Sequence, residues 1–278
     1  MSNTPRKVAH TMQSIETSDG AGVRMRRSIG TQALDHFDPF LLLDHFSSDD
    51  ANDYIAGFPD HPHRGFETVT YMLAGAMRHR DNAGKEGYLG PGSVQWMTAG
   101  RGIVHSEMPE QEEGLMSGFQ LWVNLPAAHK MCEPRYQDIP PEDVPEVSLD
   151  GGARVRVLAG EAFGVEGPVR DVMVRPLYLD IRLPPGAGLV VPVTKGHNAL
   201  VYVYDGATQV GGTPVVKHTL ALLGDGDEIM LFSGQDGVRL LLIAGQPIGE
   251  PVARRGPFVM NTRDEIIQAV RDFQSGRF

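Results

Sequence analysis

Thiols are almost absent from this chain: its 278 residues include one cysteine, Cys132. A single thiol closes no intramolecular disulfide and builds no thiolate zinc site, which fits a reducing compartment. Long apolar runs are missing too. Residues 1–13 have no apolar core of the signal-peptide kind, and no stretch approaches the ~20 apolar residues of a membrane-spanning helix. The expectation is a soluble, cytoplasmic protein with no membrane partner. Positive charge is also scarce, with 25 Lys and Arg against 35 Asp and Glu, a net charge of −10. The basic clusters (Arg24, Arg26 and Arg27; Arg254 and Arg255) are short and interleaved with apolar residues, so direct nucleic-acid binding is not expected. Helical periodicity is rare as well. The 33 glycines and 20 prolines point instead to short strands and many turns.

What is present is globular: 41% hydrophobic and 22% charged residues, in a length compatible with two units of ordinary size. Residues 8–27 read as a pair of strands around a turn at 18–22, and residues 33–46 as a buried strand. Asp35/His36 and Asp44/His45 are read as structural pairs, because neighbours on a strand face opposite ways. Residues 126–150, polar and proline-rich, read as a connection between domains. A second all-β half follows over 153–248. Residues 262–273 read as a helix, with Thr262 and Glu265 forming a capping box and Ile266, Ile267, Ala269, Val270 and Phe273 an apolar face.

The chain is organised around His61-Pro62-His63-Arg64-Gly65-Phe66-Glu67 and, further on, His105-Ser106-Glu107. On a strand, residues i and i+2 face the same way, with Cα atoms roughly 6.5–7 Å apart. His61 and His63 therefore aim two imidazoles at one point, and His105 and Glu107 repeat the geometry. Side by side, the two segments bring three nitrogens and a carboxylate oxygen to one centre, a mixed site for a borderline divalent transition metal. A lone His-x-His is weak evidence, and such residues at a barrel mouth can be merely polar. A second His-x-Glu in a β-rich, glycine-punctuated chain strengthens it. Glu107 is preferred as the carboxylate. Glu67 is the fallback, because four residues past His63 on one strand is roughly 13 Å.

The strand continuing from Glu67 should place Val69, Tyr71 and Leu73 on the face of the two histidines. An internal repeat relates the halves: Tyr71-Met72-Leu73-Ala74-Gly75 resembles Tyr202-Val203-Tyr204-Asp205-Gly206. Counting from it puts Pro192 and Thr194 in place of His61 and His63, with Arg239 and Leu241 near the places of His105 and Glu107. His197 is the one histidine nearby, so the second half is expected to be metal-free. Trp96 and Trp122 are read as barrel packing, Cys132 as a free structural thiol, His79 and His129 as solvated, and Met97 as cavity-lining.

The chain resembles the pirins, a branch of the cupin superfamily, over nearly its whole length. The resemblance is carried by residues 23–30, Asp38-Pro39-Phe40-Leu41-Leu42, and residues 61–70, 95–109, 118–125 and 256–262. It implies an all-β fold of two cupin barrels (double-stranded β-helices, or jelly rolls) packed face to face, with a C-terminal helix. The domains would be 1–133, holding the metal, and 134–278, without metal and ending in the helix. The family's ligand positions fall on His61, His63, His105 and Glu107, around one metal. Iron is the first candidate, and Mn, Co, Ni, Cu and Zn are alternatives. The five-residue step from Gly100 to His105 departs from the general second cupin motif in a pirin-like way.

The activity implied is that of a quercetin 2,3-dioxygenase, an oxidoreductase (quercetinase) that opens a flavonol-like aromatic substrate with O2. Glu107 would be the catalytic residue, taking the 3-hydroxyl proton, and the metal a Lewis acid and template. Pirin resemblance also implies an alternative: a non-enzymatic, redox-responsive regulator that binds a protein partner, either a transcription complex or a metabolic enzyme. A sugar-binding or isomerase cupin has only fold-level analogy behind it.

Overall fold

In Arg154-Val155-Arg156-Val157 both valines are fully buried while Arg154 is exposed, the period of two that a half-buried strand imposes. Repeated along the chain, this pattern yields a protein of strands with a single α-helix among the described residues. The computed structural model describes residues 3–278. No helix among these is long and apolar enough to cross a membrane.

The chain forms two compact units, and both are discontinuous in sequence. One comprises Glu16–Pro141 with Ile248–Phe278, the other Glu142–Pro247 with the chain up to Ile15. The linear division at 133/134 therefore does not describe the contacts: each end of the chain folds with the other half's residues. The strand Val8–Gln13 pairs with Thr219–Leu223. The expected early hairpin is formed instead by Ile15–Asp19 and Val23–Ile29, adjacent at one sheet edge. The segment expected as a connection contributes the strand Arg135–Ile139, paired with Val94–Thr98.

In the first unit a seven-stranded sheet runs from Arg135–Ile139 through Phe66–Ala74 to Ile15–Asp19. A four-stranded sheet carries Phe58–His63, Ile103–Pro109, Met77–Asp81 and Glu86–Leu89 in that order. The expected strand at 33–46 begins only at Phe40 and runs to Ser48. Phe58–His63 and Phe66–Ala74 lie in different sheets, so the extension of the histidine face to Val69, Tyr71 and Leu73 fails. The chain breaks at Gly65, whose φ of 88° lies in the left-handed region that a residue with a Cβ enters only at a cost. A Cβ there would also collide with the Val259 carbonyl oxygen.

The second unit is a nine-stranded sheet built on the long strands Asn198–Val210 and Glu228–Gly245. Its interior is aliphatic, with Val155, Ile181, Val201, Val203, Leu240 and Leu242 all buried. Of the positions aligned with the metal motif, Pro192, Thr194 and Arg239 are exposed, and Leu241 is buried.

The helix Arg263–Gln274 has the expected capping box: the Glu265 N–H donates to Thr262 Oγ1 at 3.3 Å, and the Thr262 N–H donates to Glu265 Oε2 at 2.8 Å. It folds with the unit that carries the histidine motif, not with the second half. Thr262→Ala is expected to cost about 1 kcal/mol, lowering the melting temperature of that unit by roughly 2–4 °C. An unchanged calorimetric transition would contradict that value for the cap.

Candidate metal centre

Strands Phe58–His63 and Ile103–Pro109 run antiparallel, with His105 directly opposite His61 and Ile103 opposite His63. Alternation sends His61 and His63 to one face, and the pairing brings His105 to the same place. Ring centroids are 4.7 Å apart for His61–His63, 4.4 Å for His61–His105 and 5.1 Å for His63–His105. One ring nitrogen from each of the three lies within 4.8 Å of the other two.

The electrostatics favour neutral imidazoles with free lone pairs. Burial holds His63 and His105 well below the usual imidazole range, assisted by their neighbouring histidines. Nδ1 of His61 lies 2.8 Å from the Pro59 carbonyl. A carbonyl only accepts, so this nitrogen carries an N–H, and in the neutral ring the lone pair is on Nε2. His63 Nδ1 and both nitrogens of His105 are buried without a hydrogen-bond partner. Buried polar groups are nearly always satisfied, and converging unsatisfied nitrogens of this kind suit a metal that favours imidazole. The donor set fits the ion that the resemblance implies.

Glu107 is buried on the strand of His105, where the pairing with Phe58–His63 shifts register between the two residues. Thr70 Oγ1 donates to its Oε1 at 2.8 Å, and Gln120 Nε2 donates to its Oε2 at 3.1 Å. The group of mutually close ligand atoms comprises the three histidines. Glu107 is outside that group, and it lines a cavity together with His61 and His63.

Glu67 is buried on Phe66–Ala74 and takes a 2.6 Å hydrogen bond from Thr98 Oγ1. It is not among the residues lining the cavity with the histidines. Burial pushes its carboxyl up to about 7, against the pull of that hydrogen bond. A folded-state value above the unfolded one means stability present below pH ~4.5 and lost as pH rises through 7. Glu67→Gln is expected to abolish that decline, worth at most on the order of 3 kcal/mol, and to leave metal content unchanged. Denaturant melts at several pH values, with metal analysis, check both. A fall in metal content would return Glu67 to the ligand set.

The cavity has a volume of about 610 Å³, within the range of small-molecule sites. His61, His63, Glu107, Thr70 and Gln120 supply polar groups to its lining, while Met25, Leu42, Phe46, Phe58, Met77 and Trp122 supply apolar wall. Also on the lining, Arg27 holds Asp44 through two bonds, Nε to Oδ1 at 2.8 Å and a terminal nitrogen to Oδ2 at 2.7 Å. Burial raises the Asp44 carboxyl to about 6 even against the Arg27 charge. Trp122 meets His63 edge-on at 5.3 Å and carries the Arg254 guanidinium over its ring at 4.8 Å.

Behind the histidines the bend is braced from the chain's last segment. Arg64 is buried, with Nε donating to the Arg101 carbonyl at 2.5 Å and a terminal nitrogen to Asp272 Oδ2 at 2.7 Å on the helix. The buried Lys130 ammonium donates to the carbonyls of Gly65 (2.8 Å) and Val259 (3.1 Å) and to Asn124 Oδ1 (2.6 Å).

Some expectations about single residues change. Trp96 is buried as expected, but Trp122 lines the cavity. Met97 does not line it and packs instead with Ala99 and Ile103. His129 is exposed as expected, but His79 is buried, with Nε2 3.2 Å from Asp138 Oδ2. Met77, two residues earlier on the same face, was the available signal. Asp35 and His36 form an exposed pair at 2.9 Å, and His45 stacks on Phe119 at 4.6 Å, as structural residues do. Asp44 and Arg27 were missed as cavity residues, because nothing in their local sequence marks a pocket wall. Cys132 is a free, half-buried thiol whose pKa burial raises.

The pirin family profile matches residues 22–123, and that of the pirin C-terminal cupin domain matches residues 178–278. A pirin-like protein of Caulobacter vibrioides is 52% identical over 274 residues, 98% of this chain and 99% of that protein. The crystal structure of quercetin 2,3-dioxygenase from Acinetobacter baumannii superposes with a TM-score of 0.91 at 34% identity, covering 99% of each chain. A bacterial pirin from Escherichia coli, solved in complex with nickel(II), shares the fold with a TM-score of 0.68 at 18% identity, covering 86% of this chain and 98% of that one.

Proposed function

The chain belongs to the pirin family, with two cupin domains, and from that premise we propose that it is a metal-dependent oxygenase of the quercetin 2,3-dioxygenase type. One observation carries the reading: three imidazoles converge, His63 and His105 bring buried nitrogens without partners, and His61 and His63 line a cavity that the buried Glu107 carboxylate also lines. Similarity to the Acinetobacter quercetin 2,3-dioxygenase supports the flavonol-like substrate and O2.

His61, His63 and His105 would hold the ion, with Glu107 as fourth ligand; iron is the first candidate, and the nickel of the related pirin illustrates the alternatives. Such an ion would supply Lewis-acid polarisation of the substrate oxygen and a common template for substrate and O2. The rest falls to this chain's own groups. The apolar wall of Phe46, Phe58, Met25 and Met77 excludes water and fits a flat aromatic ring system, and the Trp122–Arg254 stack offers a planar face against which to orient it. The Glu107 carboxylate takes the proton of the flavonol 3-hydroxyl. Gln120 and Thr70 hold its two oxygens in place before and after that transfer, so the base needs no reorganisation.

The test mixes iron-loaded protein with quercetin anaerobically and then admits oxygen. Metal-dependent loss of flavonol absorbance with release of CO is the expected result. Absence of turnover with every one of Fe, Mn, Co, Ni and Cu would overturn the oxygenase reading in favour of a metal-responsive protein that acts by binding a protein partner.

A further inference from the structure

The second unit contains a cavity that the metal chemistry does not use. Its volume is about 570 Å³, and Arg154, Arg182 and Arg239 line it. They come from three adjacent strands, Arg154–Ala159, Leu177–Leu183 and Glu228–Gly245, and stand in one row: Arg154 is paired with Arg182, and Arg182 with Arg239. Neighbouring strands lie about 4.8 Å apart, so three guanidinium-bearing side chains share one stripe of the sheet. Their chain neighbours Val155, Ile181, Val238 and Leu240 are buried, and all three arginines are exposed.

Like charges directly opposite one another destabilise a sheet. In a chain with a net charge of −10, a cross-strand row of three cations is what stability alone disfavours. Acids flank the row at both ends: Arg154 Nε is 3.5 Å from Glu146 Oε1, and Asp205 stands opposite Arg239, which also lies 5.2 Å over the Tyr204 ring. Arg182, in the middle, has neither an ion pair nor a hydrogen bond from its side chain among the described residues. Of the two acids on the lining, Asp205 is engaged by Lys217 at 3.4 Å, and Asp236 lies within the strand Glu228–Gly245. The backbone there is close-set: a Cβ on Gly237 would come within 2.7 Å of the Leu183 carbonyl oxygen, and one on Gly206 would strike the Gly237 carbonyl.

We propose that this row is a binding site for a small multivalent anion, one whose phosphate or carboxylate groups bridge adjacent guanidiniums, with Arg182 as the central contact. The planar fork of arginine matches both oxyanions through paired N–H donors. A ligand with two or more charged groups removes the repulsion along the whole row, which a monovalent ion does not.

The test is calorimetric titration of the full-length, metal-loaded protein with pyrophosphate and, separately, with tricarballylate, at about 50 and about 200 mM salt. Saturable binding of at least one probe, one per chain and weaker at higher salt, is expected. Preference for pyrophosphate would assign a phosphate ligand, and preference for tricarballylate a polycarboxylate. Arg182→Ala and Arg182→Gln should each weaken binding at least about tenfold with an unchanged circular dichroism spectrum. Arg24→Ala, which removes an exposed arginine of the other unit, should leave it unchanged. Failure of both probes to saturate overturns the site. So does undiminished affinity in the two Arg182 variants, which would place the anion elsewhere, and so does an equal loss in Arg24→Ala.

Discussion

His105→Ala, purified from metal-replete cells, is expected to hold less than about a tenth of the metal that the unsubstituted protein holds. Loss of a group that merely orients a ligand typically costs 10–100-fold in affinity, and His105 is one of only three imidazoles in the cluster. The fold is expected to survive. The ring is 1% exposed and both its nitrogens lack partners, so truncation removes a desolvation penalty of about 1–3 kcal/mol. The void left behind costs a comparable amount. The metal-free variant should therefore melt within a few degrees of the metal-free parent. Added metal should raise the melting point of the parent only, by the equivalent of about 4 kcal/mol at a thousandfold excess over Kd. Full metal retention in the variant would remove His105 from the site. Loss of cooperative unfolding would make the ion a structural one.

The grouping of the three histidines was readable because it depends on the shortest-range rule a strand obeys. Period two sets His61 beside His63, and the pairing of Phe58–His63 with Ile103–Pro109 brings in His105. The C-terminal helix was readable for a similar reason, since capping and an apolar stripe are local. What failed was whatever depended on where the chain turns or which partner it finds. Counting in steps of two past His63 crossed Gly65, where the backbone takes a positive φ and enters another sheet. Sequence order likewise gave no hint that residues 248–278 fold with the first half, although Asp272 there reaches the arginine next to His63. The cavity wall was the least legible part. Arg27, Asp44, Trp122 and Arg254 come from four separate segments, and no spacing connects them.

Glu107→Gln separates the two roles assigned to that carboxylate. Glutamine has nearly the shape of glutamate and can keep a hydrogen bond to Thr70 or to Gln120, the partners that now fix Oε1 and Oε2. With the three histidines intact the variant should still take up metal, so activity is best expressed per bound ion. On that scale kcat is expected to fall about 10²–10⁴-fold, the usual contribution of a positioned general base, because an amide cannot accept the flavonol proton. KM should change little, since the cavity wall that meets the aromatic rings is untouched. Activity that declines only in proportion to metal content would leave Glu107 as a ligand and remove it as the base. Glu67→Gln is the internal comparison: an equally buried carboxyl, hydrogen-bonded to Thr98 and away from the cavity lining, should keep full kcat per ion. If Glu67→Gln lost as much as Glu107→Gln, the proton would have to leave by a route that the cavity geometry does not contain.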